Sequence, residues 1–472
     1  MSGRWPDPPR PFPDAARTAL ANVQLGQNLA RATTTIRGRR AAAVAQVEGW
    51  DELRESARQI KAHTLRHLDR YLEQLEAAVQ ARGGTVHWAR DAAEAAEHVV
   101  RIAREERVRE VVKVKSLTTD EIGLNDALAR AGVEAVETDL AELIVQLGDD
   151  LPSHVLVPAI HRNRTEIRDL FRARLSEAPT GLTDEPRELA AVARAHLRER
   201  FLSARMAVSG ANFAVAETGT LCVVESEGNG RMCLTLPEVL VSVVGIEKVV
   251  PSMRALGVLL RVLAPSSTGE IMNPYTTLWS GPVPGDGPRR FDLVLLDNGR
   301  TKALADDVGR EALQCIRCSA CMNVCPVYSR TGGHAYGSVY PGPIGAILSP
   351  QLWGTDLHGT LPFASSLCGA CADVCPVGIE IPKLLVHLRA RSVDRKGDKR
   401  EKAGMAAAAI ALSRPRALNT AGRMARTGLR RARPIIKRMP GPPAEWARFR
   451  ELPEPPKESF RGWWDRTNGG RP

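Results

Sequence analysis

The chain contains 472 residues, of which 43% are hydrophobic and 25% are charged, and this composition excludes a chain that is disordered throughout. At roughly 150 residues per domain, the length allows about three domains. The net charge of +11 has a local origin, because residues 391–439 contain 15 Lys or Arg against three acidic residues. The rest of the chain is nearly neutral, which excludes a uniformly basic nucleic-acid coat.

The N-terminus has no apolar stretch long enough for a signal peptide, and no run in the sequence reaches 18 apolar residues. A secreted or membrane-spanning protein would need one of these features. We therefore predict a cytoplasmic protein, in which thiols stay reduced and clustered Cys are typical of metal sites.

In chain order, a Pro-rich arm of about 16 residues precedes a helical pattern from about 17 to 82, which ends at Gly83-Gly84. Alternating strand and helix patterns follow. The predicted strands are 84–89, 109–116, 133–139 and 154–160, and the helices between them are 91–108, 119–132 and 140–148. Such alternation predicts a parallel or mixed sheet covered by helices.

The pattern changes after two more predicted helices, near 163–176 and 186–205. Residues 213–236 predict a β-hairpin, or a pair of strands, around a turn at Gly228-Asn229-Gly230. A last strand pattern at 291–300 ends the α/β region. The predicted organisation is an arm with helices (1–59), an α/β domain (60–300), a Cys-rich domain (301–390) and a basic helical tail (391–472).

Seven of the nine Cys lie between positions 315 and 375. They form a Cys-x2-Cys-x2-Cys-x3-Cys-Pro run and a shorter Cys-x2-Cys-x3-Cys-Pro run: Cys315, Cys318, Cys321 and Cys325, then Cys368, Cys371 and Cys375. Bacterial two-cluster ferredoxins have this run, in which three Cys hold one [4Fe–4S] cluster and the fourth ligates the other. Zinc also binds Cys-x2-Cys pairs, but the x3-Cys-Pro endings have no role in a zinc site. Helical flanks indicate an all-helical two-cluster ferredoxin domain.

Crossing the fourth Cys of each run predicts the two ligand sets: Cys315, Cys318, Cys321 and Cys375 for cluster one, and Cys325, Cys368 and Cys371 for cluster two. Cluster two lacks one ligand, and Ser365 occupies the expected position, three residues before Cys368. Three alternatives stay open: Ser365 is a ligand, the fourth iron carries water or a partner's group, or the cluster is [3Fe–4S]. Cys222 and Cys233 lie in apolar patterns and are interpreted as buried structural thiols.

Several strings carry a resemblance to one family: CIRCSACMNVCPVYSRTGGHAYGSVYPGPIGAILSP, ASSLCGACADVCPV, NFAVAETGTLCVVESEGNGR and ELPEPPKESFRGWWDR. Together they resemble the lactate utilization protein B family, whose N-terminal part is a LUD domain. The resemblance implies an iron–sulfur protein that acts with two companion subunits in the oxidation of L-lactate to pyruvate. It also implies an α/β LUD domain similar to the sugar-isomerase and CoA-transferase group, a fold that does not itself name a reaction.

The expected function is that of an electron-transfer subunit that relays electrons one at a time through two clusters. A glycolate-oxidase-type iron–sulfur subunit is disfavoured, because such subunits carry Cys-Cys-Gly repeats and no Cys follows Cys375. The alternative is lactate oxidation by the LUD domain itself, although no dinucleotide fingerprint is present. Its candidate residues are Lys115 and Glu217, with Glu121, Thr218 and Asn229 as further polar groups.

The expected partners are companion lactate utilization subunits and an electron acceptor, either quinone or a soluble carrier. The basic tail favours docking on an acidic partner, followed by peripheral contact with an anionic membrane. Nucleic acid is disfavoured as a partner, because the tail carries no recognition motif.

Overall fold

We describe the chain from a computed structural model, which covers residues 8–396, 399–433, 435–438 and 453–468 and the single positions 444, 447, 450 and 451. The chain divides into two compact units, Met1–Ser392 and Val393–Pro472. The larger unit contains all the strands of the described residues.

The strands in chain order are β1 (Thr85–Ala89), β2 (Glu110–Lys113), β3 (Glu134–Glu137), β4 (Met206–Ser209), β5 (Phe213–Val215), β6 (Thr220–Glu225), β7 (Val239–Gly245), β8 (Val249–Val250), β9 (Tyr275–Trp279) and β10 (Arg290–Leu296). The helices are α1 (Phe12–Leu20), α2 (Val23–Val44), α3 (Trp50–Arg66), α4 (Leu68–Ala81), α5 (Ala92–Glu105), α6 (Leu117–Glu121), α7 (Leu124–Arg130), α8 (Leu140–Leu147), α9 (Arg164–Arg174), α10 (Pro186–Ser203), α11 (Asn229–Thr235), α12 (Met253–Ser267), α13 (Arg300–Leu304), α14 (Ala320–Asn323), α15 (Tyr328–Thr331), α16 (Gly342–Leu352), α17 (Thr355–His358), α18 (Ala370–Asp373), α19 (Ile381–Lys396), α20 (Lys399–Ser413) and α21 (Pro415–Ala432), followed by a last helix, Phe460–Thr467. Short 3-10 helices lie at Ile246–Lys248, Gly309–Gln314, His334–Tyr336, Leu361–Phe363 and Ile436–Arg438.

A six-stranded sheet forms the centre of the larger unit, and all its strand pairs are parallel, in the order β1-β10-β7-β4-β2-β3. Residues of β7 alternate between two cores. Val239, Val241 and Val243 pack with α5 and α7, whereas Leu240 and Val244 belong to the core on the opposite face. Because both faces are covered, these strands are apolar throughout. The predicted α/β architecture is confirmed.

A second, four-stranded sheet has the order β8-β5-β6-β9 and combines parallel and antiparallel pairs. The predicted single sheet is therefore two sheets. The β5–β6 hairpin turns near Gly219, which has a positive φ of 69°. A Cβ there would lie 2.8 Å from the backbone nitrogen of Val79, so only glycine fits this turn without strain.

The prediction of a hairpin turn at Gly228-Asn229-Gly230 is wrong, because α11 begins at Asn229. The Glu225 carboxylate accepts hydrogen bonds from the backbone N–H groups of Glu227 and Gly228, which ends the strand. The helix then buries Cys233 and Leu234. The apolar positions after this point were recognised correctly, but they form one face of a helix and not one face of a strand.

The predicted strand at 154–160 is also wrong, since these residues form turns. The imidazole Nδ1 of His154 accepts the backbone N–H groups of Leu156 and Val157. The Tyr328 hydroxyl donates to the carbonyl oxygen of Ser153 at 2.7 Å. The Tyr328 contact joins the segment to the Cys-rich region. The two bonds to His154 use backbone N–H groups that a strand would pair with its neighbour.

Two helical predictions need smaller corrections. The predicted helix 119–132 is interrupted at Gly123, whose φ is 61°, so that α6 and α7 are separate. The Pro-rich arm is shorter than predicted, because α1 begins at Phe12, whose ring lies 5.0 Å from that of Tyr336. Residues 1–7 of the predicted arm lie outside the described residues.

The described residues of the smaller unit are mostly helical, as predicted for the tail. Its α21 carries Arg430 and Arg431 in its last turn and has no buried residue. Trp463 and Trp464 of the last helix are exposed. Within the described residues, no helix is both long enough and apolar enough to cross a membrane.

The pH dependence of stability should reveal the buried His154. Burial lowers the pKa of this imidazole from 6.5 to about 4, despite its hydrogen bond to Asn323. The unfolded chain takes up a proton near pH 6.5 and the folded chain does not, so stability is lost as the pH falls from 6.5 towards 4. We expect a loss of about 1.4 kcal/mol between pH 8 and pH 5.5 from this group.

Denaturant unfolding at several pH values checks this expectation. His154→Gln should flatten the decline in the free energy of unfolding, whereas His63→Gln, at an exposed position, should leave its slope unchanged. An unaltered slope in His154→Gln would contradict the assignment.

Candidate iron–sulfur site

The first Cys run follows the 3-10 helix Gly309–Gln314 and leads into the short helix α14. Arg317 and Ser319 adopt positive φ values of 62° and 63°, which fold the loop tightly between the Cys. One cavity is lined by four cysteines, here called set one: Cys315, Cys318, Cys321 and Cys375. These are the four Cys that the sequence assigns to cluster one.

The thiols of set one share a cavity but are too far apart to surround a single ion. Among the described residues, no three Cys have Sγ atoms that all lie within 4.8 Å of one another. Tetrahedral zinc with Zn–S bonds of about 2.3 Å requires S···S distances of about 3.8 Å. The spacing therefore fits a larger polynuclear group better than zinc.

Charge effects also show that these thiols are neighbours. Burial raises the pKa of Cys318, and negative charge on Cys375 or Cys315 raises it further. Burial likewise raises the pKa of Cys375 to about 11, and Cys315 adds to the rise. Metal binding requires deprotonated thiols, and the charge of a metal group would compensate the thiolates of Cys318 and Cys375.

Backbone N–H groups point at the sulfur atoms, as an anionic cluster requires. Arg317 N donates to Cys315 Sγ, Tyr328 N to Cys325 Sγ and Ile379 N to Cys375 Sγ, each at 3.4 Å. Each bond stabilises negative charge on its sulfur.

Two buried hydroxyl groups near the thiols lack partners. Ser319 Oγ lies beside the set-one cavity, and Tyr336 Oη lies where burial and the nearby Cys325 raise the pKa of the phenol. In the part of the chain that the structure describes, neither hydroxyl has a hydrogen-bond partner. Buried hydroxyl groups normally have a hydrogen-bond partner. These two hydroxyls therefore fit a site in which a bound sulfur-containing group accepts their hydrogen bonds.

The structure also brings together a second group, here called set two: Cys325, Cys368 and Cys371. Burial raises the pKa of Cys371 to about 12, and the neighbouring Cys325 and Cys368 contribute to the rise. Cys368 is exposed, unlike the other members. Ser365 is half-buried in the same loop.

Arginines from the N-terminal helices bind the backbone of the second Cys run, around Cys375. Arg54 donates from Nε to the carbonyl oxygen of Cys375 at 2.6 Å and from Nη2 to that of Ala372 at 2.7 Å. Arg40 donates to the carbonyl oxygen of Val374 at 3.0 Å. Three permanent cations, counting Arg317, therefore surround set one.

A buried ionic network connects set one to the sheet. Glu247, just after β7, pairs with Arg300 and with Arg317, whose Nη2 lies 3.3 Å from Glu247 Oε1. Burial alone would raise the pKa of Glu247, but the two guanidinium groups hold it at about 2. Arg317 also stacks over the ring of Tyr340, 4.6 Å from its centroid.

The two candidate residues of the LUD region lie in different places. Lys115 Nζ donates to the carbonyl oxygen of Leu156 at 2.9 Å. Glu217 accepts the N–H of Met253 at the start of α12, 3.3 Å away. Within the described chain, no hydrogen bond or ion pair joins Lys115 to Glu217. Neither residue lines the cavity of about 860 Å³ near Glu137.

That cavity, of about 860 Å³, lies beside the edge strand β3, from Glu134 at its start to Glu137 at its end, and along α7. Glu137 and Glu142 line it, and the buried Lys113 bonds to Glu137 Oε1 at 2.8 Å and to Asp120 Oδ1 at 3.0 Å. Burial raises the pKa of Glu142 well above its usual range. Sequence reasoning missed this group, although a polar residue directly after a buried parallel strand is the available signal.

The remaining candidate ligands have ordinary partners. His334 Nε2 bonds to the carbonyl oxygen of Leu151, and its ring lies 4.6 Å from that of His161. The nearby Asp150 carboxylate is already paired with His161 and Arg162. Cys222 and Cys233 are buried away from both Cys sets, and burial raises the pKa of each to about 12.

Three family models match the sequence in chain order. They are the LUD domain over residues 72–290, the 4Fe-4S dicluster domain over residues 311–379, and "Lactate utilisation protein B, C-terminal" over residues 389–468.

Lactate utilization protein B of Bacillus cytotoxicus is 42% identical over 446 residues, which are 93% of each chain. The protein of the same name from Bacillus licheniformis is 41% identical over 462 residues, 96% of each chain. This chain belongs to the lactate utilization protein B family. The resemblance seen in the sequence is confirmed, and so is the iron–sulfur character of the site.

Another relative with the family name, from Oceanobacillus iheyensis, is 41% identical over 458 residues, 96% of this chain and 95% of its own. A crystal structure of a DUF162 family protein from Deinococcus radiodurans is 16% identical, with a TM-score of 0.28. The match covers 48% of this chain and 98% of that one.

Removing the charge of Glu247 should destabilise this lactate utilization protein B family member. Glu247→Gln leaves the buried Arg317 without its carboxylate partner, whereas Arg300 keeps Glu121. Breaking a buried pair costs about 3–5 kcal/mol. Denaturant unfolding measures the loss. Glu55→Gln, which removes an exposed partner of Arg58, is the control and should change stability little. If Glu247→Gln and Glu55→Gln lowered the free energy of unfolding by the same amount, a central role for Glu247 would be refuted.

Ligand crossing can be tested by iron counting. Cys375→Ala should remove the set-one group and Cys325→Ala the set-two group, so each variant should keep about half the iron of the parent protein. Iron and sulfide analysis with EPR checks which signal each variant loses. Cys222→Ala is the control and should keep all its iron. Identical spectra for Cys375→Ala and Cys325→Ala would contradict the crossing.

Proposed function

We propose that this chain is the iron–sulfur electron-transfer component of an L-lactate utilization system. In this role it relays electrons singly between the site of lactate oxidation to pyruvate and an acceptor. The names of the curated relatives and the dicluster family model support this function. The clusters, when bound, supply one-electron transfer.

The observation that carries the proposal is the adjacency of the two Cys sets. Cys321 of set one lies in α14, and Cys325 of set two follows four residues later. Burial raises the pKa of Cys321, and its neighbours in set one and Cys371 of set two raise it further. Two groups held this closely are suited to passing an electron between them.

The chain gives the two sets different surroundings. Set one lies among Arg40, Arg54 and Arg317 and is mostly buried. Set two reaches the surface at Cys368. Because nearby positive charge and solvent exposure both tune cluster potentials, the two groups should have distinct potentials.

The exposed edge of set two is the proposed place for exchange with a partner. Phe363 and Leu367, beside Cys368, are exposed apolar side chains, at 50% and 37%. Apolar side chains around an exposed redox group suit a small, transient interface. The proposed partners are companion lactate utilization subunits, with quinone or a soluble carrier as the final acceptor.

The smaller unit offers a separate basic surface on α21. We assign it to docking on an acidic partner protein, with an anionic membrane as the second candidate. Its lack of buried residues supports a role in contacts outside this chain.

A second candidate function is lactate oxidation by the LUD domain. The 860 Å³ cavity beside β3 favours it, because Glu137 at the carboxyl end of this strand lines the cavity. Ligands of parallel α/β sheets bind at the carboxyl ends of strands. In this function Glu137 and Glu142, which line the cavity, would be nearer the substrate than Lys115 or Glu217.

Lactate turnover distinguishes the two functions. The purified holoprotein with L-lactate and an artificial electron acceptor should form no pyruvate, whereas addition of the companion subunits should restore turnover. Cys375→Ala in the reconstituted system should abolish it, and Cys222→Ala should not. Pyruvate formation by this chain alone would overturn the electron-transfer function and favour lactate oxidation at the cavity of the LUD domain.

A further inference from the structure

We propose that Ser365 Oγ is the protein ligand that completes the second cluster, so that residues 365–371 repeat the ligand loop of residues 315–321. The inference rests on the proposed two-cluster function and deepens it. It selects one of the three alternatives that the sequence leaves open.

The backbone conformation of the two loops is the same at the positions that define them. Arg317 and Leu367, each two residues after the first ligand position, have φ values of 62° and 56°. Ser319 and Gly369, two residues further on, have φ values of 63° and 87°. Positive φ is uncommon for residues other than glycine, so this paired pattern is specific.

The helices that follow the two loops also correspond. In each loop the second positive-φ residue is the N-cap of a four-residue helix, α14 at Ala320–Asn323 and α18 at Ala370–Asp373. Cys321 in the first loop and Cys371 in the second are each the second residue of their helix and lie six residues after Cys315 and Ser365, respectively. By position, Ser365 is therefore the counterpart of Cys315.

The hydrogen bonds of the two side chains agree with this correspondence. In the first loop Arg317 N donates to Cys315 Sγ at 3.4 Å. In the second loop Leu367 N donates to Ser365 Oγ at 3.1 Å. The same backbone N–H, two residues ahead, thus fixes the ligand atom in one loop and the serine oxygen in the other.

The loop that carries Ser365 is anchored by a cation. Arg389 donates from Nη2 to the carbonyl oxygen of Ser365 at 3.0 Å and from Nε to that of Pro362 at 2.8 Å. Its guanidinium lies 5.3 Å from the ring centroid of Phe363. Positive charge beside the loop favours an anionic oxygen at Ser365.

Ligation by Ser365 needs no oxidant or reductant. The hydroxyl O–H bond breaks, its proton passes to solvent at this half-buried position, and an Fe–O bond forms. The N–H of Leu367 then donates to an alkoxide, and such charge-assisted bonds are stronger than neutral ones.

The test uses the full-length holoprotein, purified without oxygen, with three variants: Ser365→Ala, Ser365→Cys and the control Ser366→Ala. The parent and the control should each hold about eight iron atoms and show no [3Fe–4S] signal in EPR. Ser365→Ala should lose about one iron and gain the [3Fe–4S] signal. Ser365→Cys should keep all its iron and shift the second cluster to a higher potential, since a thiolate replaces a harder oxygen ligand.

Three results would overturn the proposal. One is a [3Fe–4S] signal in the parent protein itself. Another is a Ser365→Ala variant with the iron content, spectrum and potentials of the parent. The third is an unshifted second potential in Ser365→Cys, which decides the matter if Ser365→Ala fails to fold. Because none of these measurements uses lactate, a failure here is distinguishable from a failure of the relay function.

Discussion

The buried carboxylate of Glu247 is the contact on which the arrangement of this protein depends. It lies where β7 ends, and its counter-ions come from α13 and from the loop between Cys315 and Cys318. An unpaired charge at a buried site is strongly unfavourable. Movement of the Cys loop away from the sheet would therefore separate Arg317 from Glu247, which would keep only Arg300 as its partner. The α/β domain in this way helps to fix where set one is built.

Burial then separates the two Cys sets by function. Set one is contacted by arginines of the N-terminal helices and by Arg317, whereas set two includes the exposed Cys368. In the proposed relay, the enclosed group would exchange electrons with its neighbour and the exposed one with other molecules. The fold would then impose a direction on two sites whose ligands look alike in the sequence.

Predictions from the sequence were reliable where a short segment contains enough information to define its own structure. The strands β1, β2, β3 and β10 and the Cys spacing were all read from short segments. It failed where distant residues decide: residues 154–160 have a strand pattern, but Ser153 and His154 bind Tyr328 and Asn323 far along the chain. The buried ion pairs of Glu247 and Lys113 were missed for a related reason. A charged residue at the end of a buried strand indicates a site, but the sequence does not identify the partner that makes its burial favourable.

Set one also has a consequence for how the protein is made. Its members span about 60 residues, from Cys315 to Cys375, so a group bound to all four closes this span into a ring. In the chain-entropy model for cross-links, closing a ring of this size restricts the unfolded chain by about 4 kcal/mol. A group bound to set one would therefore stabilise the fold as well as supply electron-transfer chemistry, and the chain without this group would be both inactive and less stable.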